Sequence, residues 1–163
     1  MKPEAADYLD KARQCLTGAR TIAGVSLHHV AGREAYLAAF HAAEAFIFER
    51  TGKTIKTHRG LRVMFSRLAK DEPRIPREYL RLLSDGYEIK SVADYGVGPA
   101  VRTITAEDAI SVIEAAEHFI ETITRLLSPG SAEPHSCEHS VLKKLPPDQQ
   151  RHGDRDEGGG GDP

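Results

Sequence analysis

Tryptophan is absent from this sequence and cysteine occurs twice in 163 residues. No apolar run approaches the roughly 20 residues needed to span a bilayer. Cys15 sits inside a helical pattern and Cys137 in a C-terminal stretch of different character, so a structural disulfide is not expected and nothing points to an oxidising compartment. Met1-Lys2-Pro3-Glu4 leads straight into an amphipathic segment, unlike a secretory signal, so a cytoplasmic protein with no membrane partner is expected. Alternating runs of β-branched and aromatic residues are nearly missing, which argues against a sheet. An excess of one charge is missing too. Net charge is −2, from 22 basic and 24 acidic residues. A bulk nucleic-acid binder would carry a concentrated basic excess; only a local basic site is compatible with this balance. No paired Cys or His spacing forms a structural zinc site. His28-His29 are adjacent on a helix start, and His135-Ser136-Cys137-Glu138-His139 lies in the C-terminal stretch, so neither a metal nor any other cofactor is expected.

What is present is helical periodicity. The first helix is read from Pro3 to Ala23, with Ala5, Leu9, Ala12, Leu16, Ala19 and Ala23 as its buried stripe and Gly24 as its stop. The second runs from Ser26 to Thr51 and ends at Gly52, a suitable left-handed terminator. Its middle, Ala35 to Phe48, is apolar on nearly every side, as a central buried helix must be. The third runs from Thr57, its cap, to Lys70. The fourth runs from Pro76 to Ala93, and a loop with Gly96, Gly98 and Pro99 follows it. The fifth runs from Ala106 to Leu127, opened by Thr105 and Asp108 in the manner of a capping box. The expected fold is all-α, an up-down bundle of four or five helices over residues 1–127.

Residues 128–163 differ. They are rich in Pro, Gly and Ser, end in Gly158 to Gly161 and Asp162-Pro163, and carry four basic and seven acidic residues. Such a stretch cannot bury enough apolar surface to offset its ordering entropy, so disorder is expected there.

Three segments, taken in order, resemble the HEPN domain family. They are Arg33-Glu34-Ala35-Tyr36-Leu37-Ala38-Ala39-Phe40-His41-Ala42-Ala43, then Lys56-Thr57-His58-Arg59-Gly60-Leu61, then Ala93-Asp94-Tyr95-Gly96 with a following helix containing Ala116-Glu117-His118-Phe119-Ile120. The resemblance covers about residues 4–127 and implies a compact helical bundle that dimerises. It also implies one of two activities. Many members are ribonucleases, often toxins paired with a small nucleotidyltransferase, and carry an Arg followed after four to six residues by a His. No Arg here has a His at that distance; Arg33 to His41 and Arg50 to His58 each have seven residues between. Arg33 and His41 would also diverge by about 80° and lie about 12 Å apart along an ideal helix. Similar sequences place an Arg where Lys90 stands, four residues before Asp94-Tyr95. Lys keeps the charge but loses the planar fork that grips phosphate.

The candidate site residues follow from these segments. Lys56-Thr57-His58-Arg59 places three potentially cationic side chains at a helix start, where free N–H groups favour phosphate; an ordinary capped helix with solvated charges reads equally from the same residues. Lys90 and Asp94 are four apart and share a helix face. They form a cleft pair, with His58 a further catalytic candidate, or simply tie the helix end to its neighbours. Tyr95 would anchor either arrangement. Arg33 and Tyr36 cover a groove or close the end of the bundle. His41 and Glu44 interrupt an apolar helix and need a partner, which each can supply to the other. The resulting expectation is a nucleotide- or protein-binding module, homodimeric and paired with a small nucleotidyltransferase. A metal-independent ribonuclease acting on RNA through a non-standard site, and a dimeric scaffold, are the alternatives.

Overall fold

A computed structural model of the chain describes residues 1–96 and 103–128, and these form helices with no strand among them. They are α1 (Pro3–Ala23), α2 (His28–Thr51), α3 (His58–Ala69), α4 (Glu78–Tyr95) and α5 (Ala106–Leu127). The loop expected after Gly96 lies mostly outside the described residues, and so does the tail beyond residue 128, where disorder is expected.

α2 is the axis of the bundle and touches all four other helices. Its sequence explains this role. Ala31, Ala35, Ala38, Ala39, Ala42, Ala43 and Ala45 are wholly buried around Tyr36, Phe46 and Ile47. Methyl side chains keep the surface of α2 low on every side, so neighbours pack close to its backbone. The other helices each supply one apolar stripe. α1 brings Leu9 and Leu16, α3 brings Leu61 and Phe65, and α5 brings Ile113, Phe119 and Ile123. Phe65 meets Phe46 and Phe119 edge-on, with ring centroids 5.6 and 5.3 Å apart. Such aromatic pairs add to the burial itself.

The helix ends match their local chemistry in most places. Gly52 takes a left-handed conformation at φ 68° and closes α2. The Thr57 Oγ1 accepts from the Gly60 N–H at 3.0 Å and caps α3. Thr105 and Asp108 form a reciprocal box, with Asp in the position that Glu or Gln usually holds. α1 stops at Gly24 as expected, with that residue right-handed at φ −64°. Ser26, the expected first residue of α2, takes a left-handed turn at φ 62° instead, and α2 begins at His28. α4 begins at Glu78 and continues to Tyr95, two residues beyond the expected end at Ala93. That extra length keeps Asp94 and Tyr95 in register with Lys90.

A buried carboxylate pins the connection between α3 and α4. Glu72 receives Arg50 from α2 at 2.8 Å and Arg74 at 2.7 and 2.9 Å. The paired guanidinium of Arg74, ahead of that of Arg50, holds the Glu72 carboxyl below its ordinary range. Stability from this cluster is therefore present above the unfolded carboxylate pKa and fades as pH falls through the lower, folded value.

α4 comes close to α2 at Gly86. A Cβ there would stand 2.8 Å from Tyr36 Cδ2 and 3.3 Å from its Cβ, and Tyr36 is wholly buried and unable to swing away. Overpacking costs about 1–3 kcal/mol, against about 1 kcal/mol gained in helix propensity, so Gly86→Ala should lose about 1 kcal/mol of stability. A Cβ at Gly18 in α1 would meet nothing within 4 Å, so Gly18→Ala keeps the propensity gain. Urea denaturation of the two variants checks this. A Gly86→Ala midpoint at or above wild type contradicts the close approach.

Candidate functional site

The residues that face one another across α2, α3 and α4 are Arg33 and Tyr36 from α2, His58 and Arg62 from α3, and Tyr87, Lys90 and Asp94 from α4. Helical spacing puts them there. Arg33 and Tyr36 are three apart on α2, His58 and Arg62 four apart on α3, and Tyr87, Lys90 and Asp94 follow at three and four on α4, so each set occupies one face.

His58 is the centre. Its ring lies 4.7 Å from Phe40, 5.4 Å from Tyr87 and 5.6 Å from Tyr36, centroid to centroid. Its Nδ1 is 2.7 Å from the Tyr36 hydroxyl. The direction of this bond follows from burial. Burial pushes the Tyr36 phenol well above its ordinary pKa, so it keeps its proton. No other acceptor for that proton is found among the described residues, and a buried donor left without an acceptor is costly. The phenol therefore donates to Nδ1. The neutral ring then carries its own proton on Nε2, because an imidazole nitrogen that accepts cannot also hold a hydrogen. Burial also lowers the His58 pKa, and the positive charges of Lys90 and Arg62 lower it further; Glu44 and Asp94 oppose them more weakly. His58 is a neutral group near pH 7, with one nitrogen occupied and the other a donor.

An ion-pair relay flanks it. The Asp94 Oδ2 accepts from Lys90 Nζ at 2.7 Å and its Oδ1 from Arg33 Nε at 2.7 Å. Arg33 also pairs with Glu34 at 2.7 Å. The bond from Lys90, with help from Arg33, holds the Asp94 carboxyl below its ordinary range, and the same bond raises Lys90. Both groups are charged through the neutral range. The Arg62 guanidinium lies 4.7 Å from the centroid of the Tyr87 ring, and no ion pair among the described residues ties it to a carboxylate. Stacking of this kind holds the plane of Arg and leaves its N–H edges free to bind.

The sequence candidates divide accordingly. Arg33, Tyr36, His58, Lys90 and Asp94 converge. Thr57 is spent on capping. Lys56 and Arg59 are exposed, and no hydrogen bond or ion pair joins them to His58. Tyr95 is 74% exposed, and its ring lies 5.0 Å from Lys90 Nζ. It covers a cation and anchors nothing in the core. His41 and Glu44 do find each other, with Nδ1 donating to Oε2 at 2.7 Å, in a separate depression between α1 and α2 that Tyr8 and Phe48 also line. Arg62, Tyr87 and Phe40 were not singled out by sequence. Arg62 stands four after His58 and Tyr87 three before Lys90, a same-face spacing that could have drawn attention to both. Among the described residues no three His, Cys, Asp or Glu side chains gather as a metal site, and no helix is long and apolar enough to cross a membrane.

Comparison with known proteins agrees with this architecture. The HEPN domain model matches residues 5–126. A UPF0332 protein of Gloeobacter violaceus is 29% identical over 128 residues, covering 78% of this chain and 99% of its own length. A protein of Methanocaldococcus jannaschii, provisionally named a toxin, is 28% identical over 127 residues, covering 78% of this chain and 91% of its own length. The crystal structure of a Thermus thermophilus protein superposes with a TM-score of 0.63 at 23% identity, covering 77% of this chain and 100% of its own, and so shares the fold. With five helices among the described residues and a family match over residues 5–126, the chain belongs to the HEPN domain family.

Proposed function

We propose that this HEPN domain is a binding module for a phosphate-bearing ligand of the nucleotide class. It works as a homodimer and as the partner of a small nucleotidyltransferase in a pair of toxin–antitoxin type. The observation that carries the reading is the setting of His58: a neutral ring that offers an N–H, with two cations, Lys90 and Arg62, near it, beside the half-buried ring of Tyr87. Cationic donors suit phosphate oxygens, and aromatic faces suit a planar base. The provisional toxin name of the M. jannaschii relative supports the toxin–antitoxin setting.

That name also favours a second reading, a metal-independent ribonuclease. Cleavage of RNA needs a group that accepts the proton of the attacking hydroxyl. Asp94 accepts from two cations that favour its ionised form, and the lone pair of His58 Nδ1 is taken by Tyr36. This supports binding over cleavage.

Calorimetric titration with AMP tests the reading. Wild type is expected to bind, and Lys90→Ala and Arg62→Ala each to weaken binding about tenfold or more, about 1.4 kcal/mol. Wild type is expected to leave RNA intact. Cleavage that His58→Ala abolishes in a folded protein would make the enzyme reading the correct one. Unchanged AMP affinity in both cation variants would place the ligand elsewhere.

Nitrogen-detected NMR of His58 provides an independent check. Its titration midpoint should lie below the ordinary value of about 6.5. Lys90→Ala should raise it, yet leave it below that value, because burial is the larger cause. Tyr36→Phe should release Nδ1 and let the neutral ring populate both tautomers. The folded chain holds the His58 proton less tightly than the unfolded chain. The His58 contribution to stability should therefore fall as pH drops below about 6.5, and His58→Gln should remove that part of the pH dependence.

A further inference from the structure

The His41–Glu44 pair lies outside the His58 cleft, and its chemistry is the opposite of the cleft's. The depression that holds it, about 510 Å³, lies between α1 and α2. Glu44 is only 9% exposed. A carboxylate so deeply set needs donors. It has one, His41 Nδ1, 2.7 Å from Oε2. Oε1 takes no hydrogen bond among the described residues. With Nδ1 donating, Nε2 of the neutral His41 ring holds a lone pair, and no donor among those residues reaches it either. Yet no wholly buried side-chain nitrogen or oxygen among them lacks a partner. Oε1 and Nε2 therefore open to the depression that their residues line. The rest of the lining suits two free acceptors. Glu4 and Asp7, exposed on α1, add carboxylates at the rim, against the single ammonium of Lys11. Tyr8 and Phe48 form an aromatic wall, half-buried, with ring centroids 6.1 Å apart. Lys2 is nearby but spoken for: its Nζ donates to the carbonyls of Phe48 and Glu49.

We propose that this depression binds a guanidinium group. A guanidinium carries several N–H donors in one rigid plane, which suits acceptors on two neighbouring side chains. Its flat face stacks on an aromatic ring, as a compact, strongly hydrated ammonium does less well. The buried carboxylate supplies the countercharge. The group comes from a small guanidine compound or from an arginine side chain of a protein, and the recognising chemistry is the same. This site shares no lining residue with the His58 cleft, so it stands or falls apart from the phosphate reading.

The experiment is a nitrogen-detected NMR titration of the full chain with ethylguanidinium chloride at constant ionic strength. The ring nitrogens of His41 are expected to shift, Nε2 most, while those of His58 stay nearly still. Glu44→Gln keeps the side chain's length and an oxygen for His41, but turns an NH2 group toward the depression where Oε1 stood. It is expected to weaken binding about tenfold or more. Asp7→Asn and Lys11→Ala alter only exposed positions, and are expected to weaken and to tighten binding, each about twofold. Propylammonium, of the same charge, is expected to bind at least about fivefold more weakly. A capped Gly-Arg-Gly peptide separates the two sources. Affinity equal to that of ethylguanidinium assigns an arginine on a protein; clearly weaker affinity assigns a small guanidine; either upholds the site. An unmoved His41, His58 shifting equally, or unchanged affinity in a folded Glu44→Gln overturns it. Propylammonium binding as well as ethylguanidinium overturns the choice of guanidinium. If Glu44→Gln does not fold by circular dichroism, the Asp7 and Lys11 variants decide, and wild-type affinity in both overturns the site.

Discussion

The phenol ring of Tyr36 is wholly buried, and a buried hydroxyl must find a partner. Much of this molecule follows from how that requirement is met. The ring fits because α4 presents Gly86 to it, with no side chain between. The hydroxyl is satisfied because His58, the first residue of α3, turns inward to accept from it. One side chain of the central helix thus fixes the approach of α4 by its carbon atoms and the protonation of α3's histidine by its oxygen. Packing and chemistry share the residue, so a change at either neighbour reaches the other. A bulkier residue at 86 would displace the ring that sets the tautomer of His58.

The relay from Arg33 through Asp94 to Lys90 joins the far ends of α2 and α4 in the same region. Side chains that remain partly exposed gain little stability from such pairs, since water competes for both charges. Their effect here is on geometry and electrostatics. Asp94 uses one oxygen for each cation, which fixes the direction of Lys90 and keeps the carboxylate ionised. The positive charge that Lys90 leaves near His58 discourages a second proton on the ring. Arg33 supplies a second cation from α2, reaching Asp94 through Nε.

Much of the fold was legible in the sequence because it is written in local chemistry. Gly52, Thr57 and the Thr105–Asp108 box act within a few residues of themselves, and the all-round apolar character of Ala35 to Phe48 leaves a central position as the stable choice. The start of α2 was less so: Ser26, its expected first residue, takes a left-handed turn, and the helix opens two residues later at His28. α4 runs two residues past Ala93, and the bonds from Lys90 and Arg33 to Asp94 hold that last stretch in place. The site was half legible. Lys90 with Asp94, and His41 with Glu44, follow from spacing along one helix. The Tyr36–His58 bond spans 22 residues and two helices, and no periodicity within either could have supplied it.

The division between donors and acceptors decides what such a cleft is suited to do. A group that removes a proton must have a free lone pair and a reason to hold the proton once it arrives. Asp94 lacks the second: each oxygen already accepts from a cation, and the two cations favour its charged form. At His58 the accepting nitrogen faces a phenol that does not ionise near neutral pH, and the other nitrogen already bears hydrogen. The donors are differently placed. Among the described residues, Arg62 has no carboxylate to satisfy it and the second His58 nitrogen has no acceptor. An incoming anion would meet donors whose hydrogen bonds are still to be made, without first displacing an internal acceptor. Affinity for such an anion would then come from donors already fixed in place, Arg62 by stacking on Tyr87 and His58 by its bond to Tyr36, rather than from ordering flexible side chains on arrival.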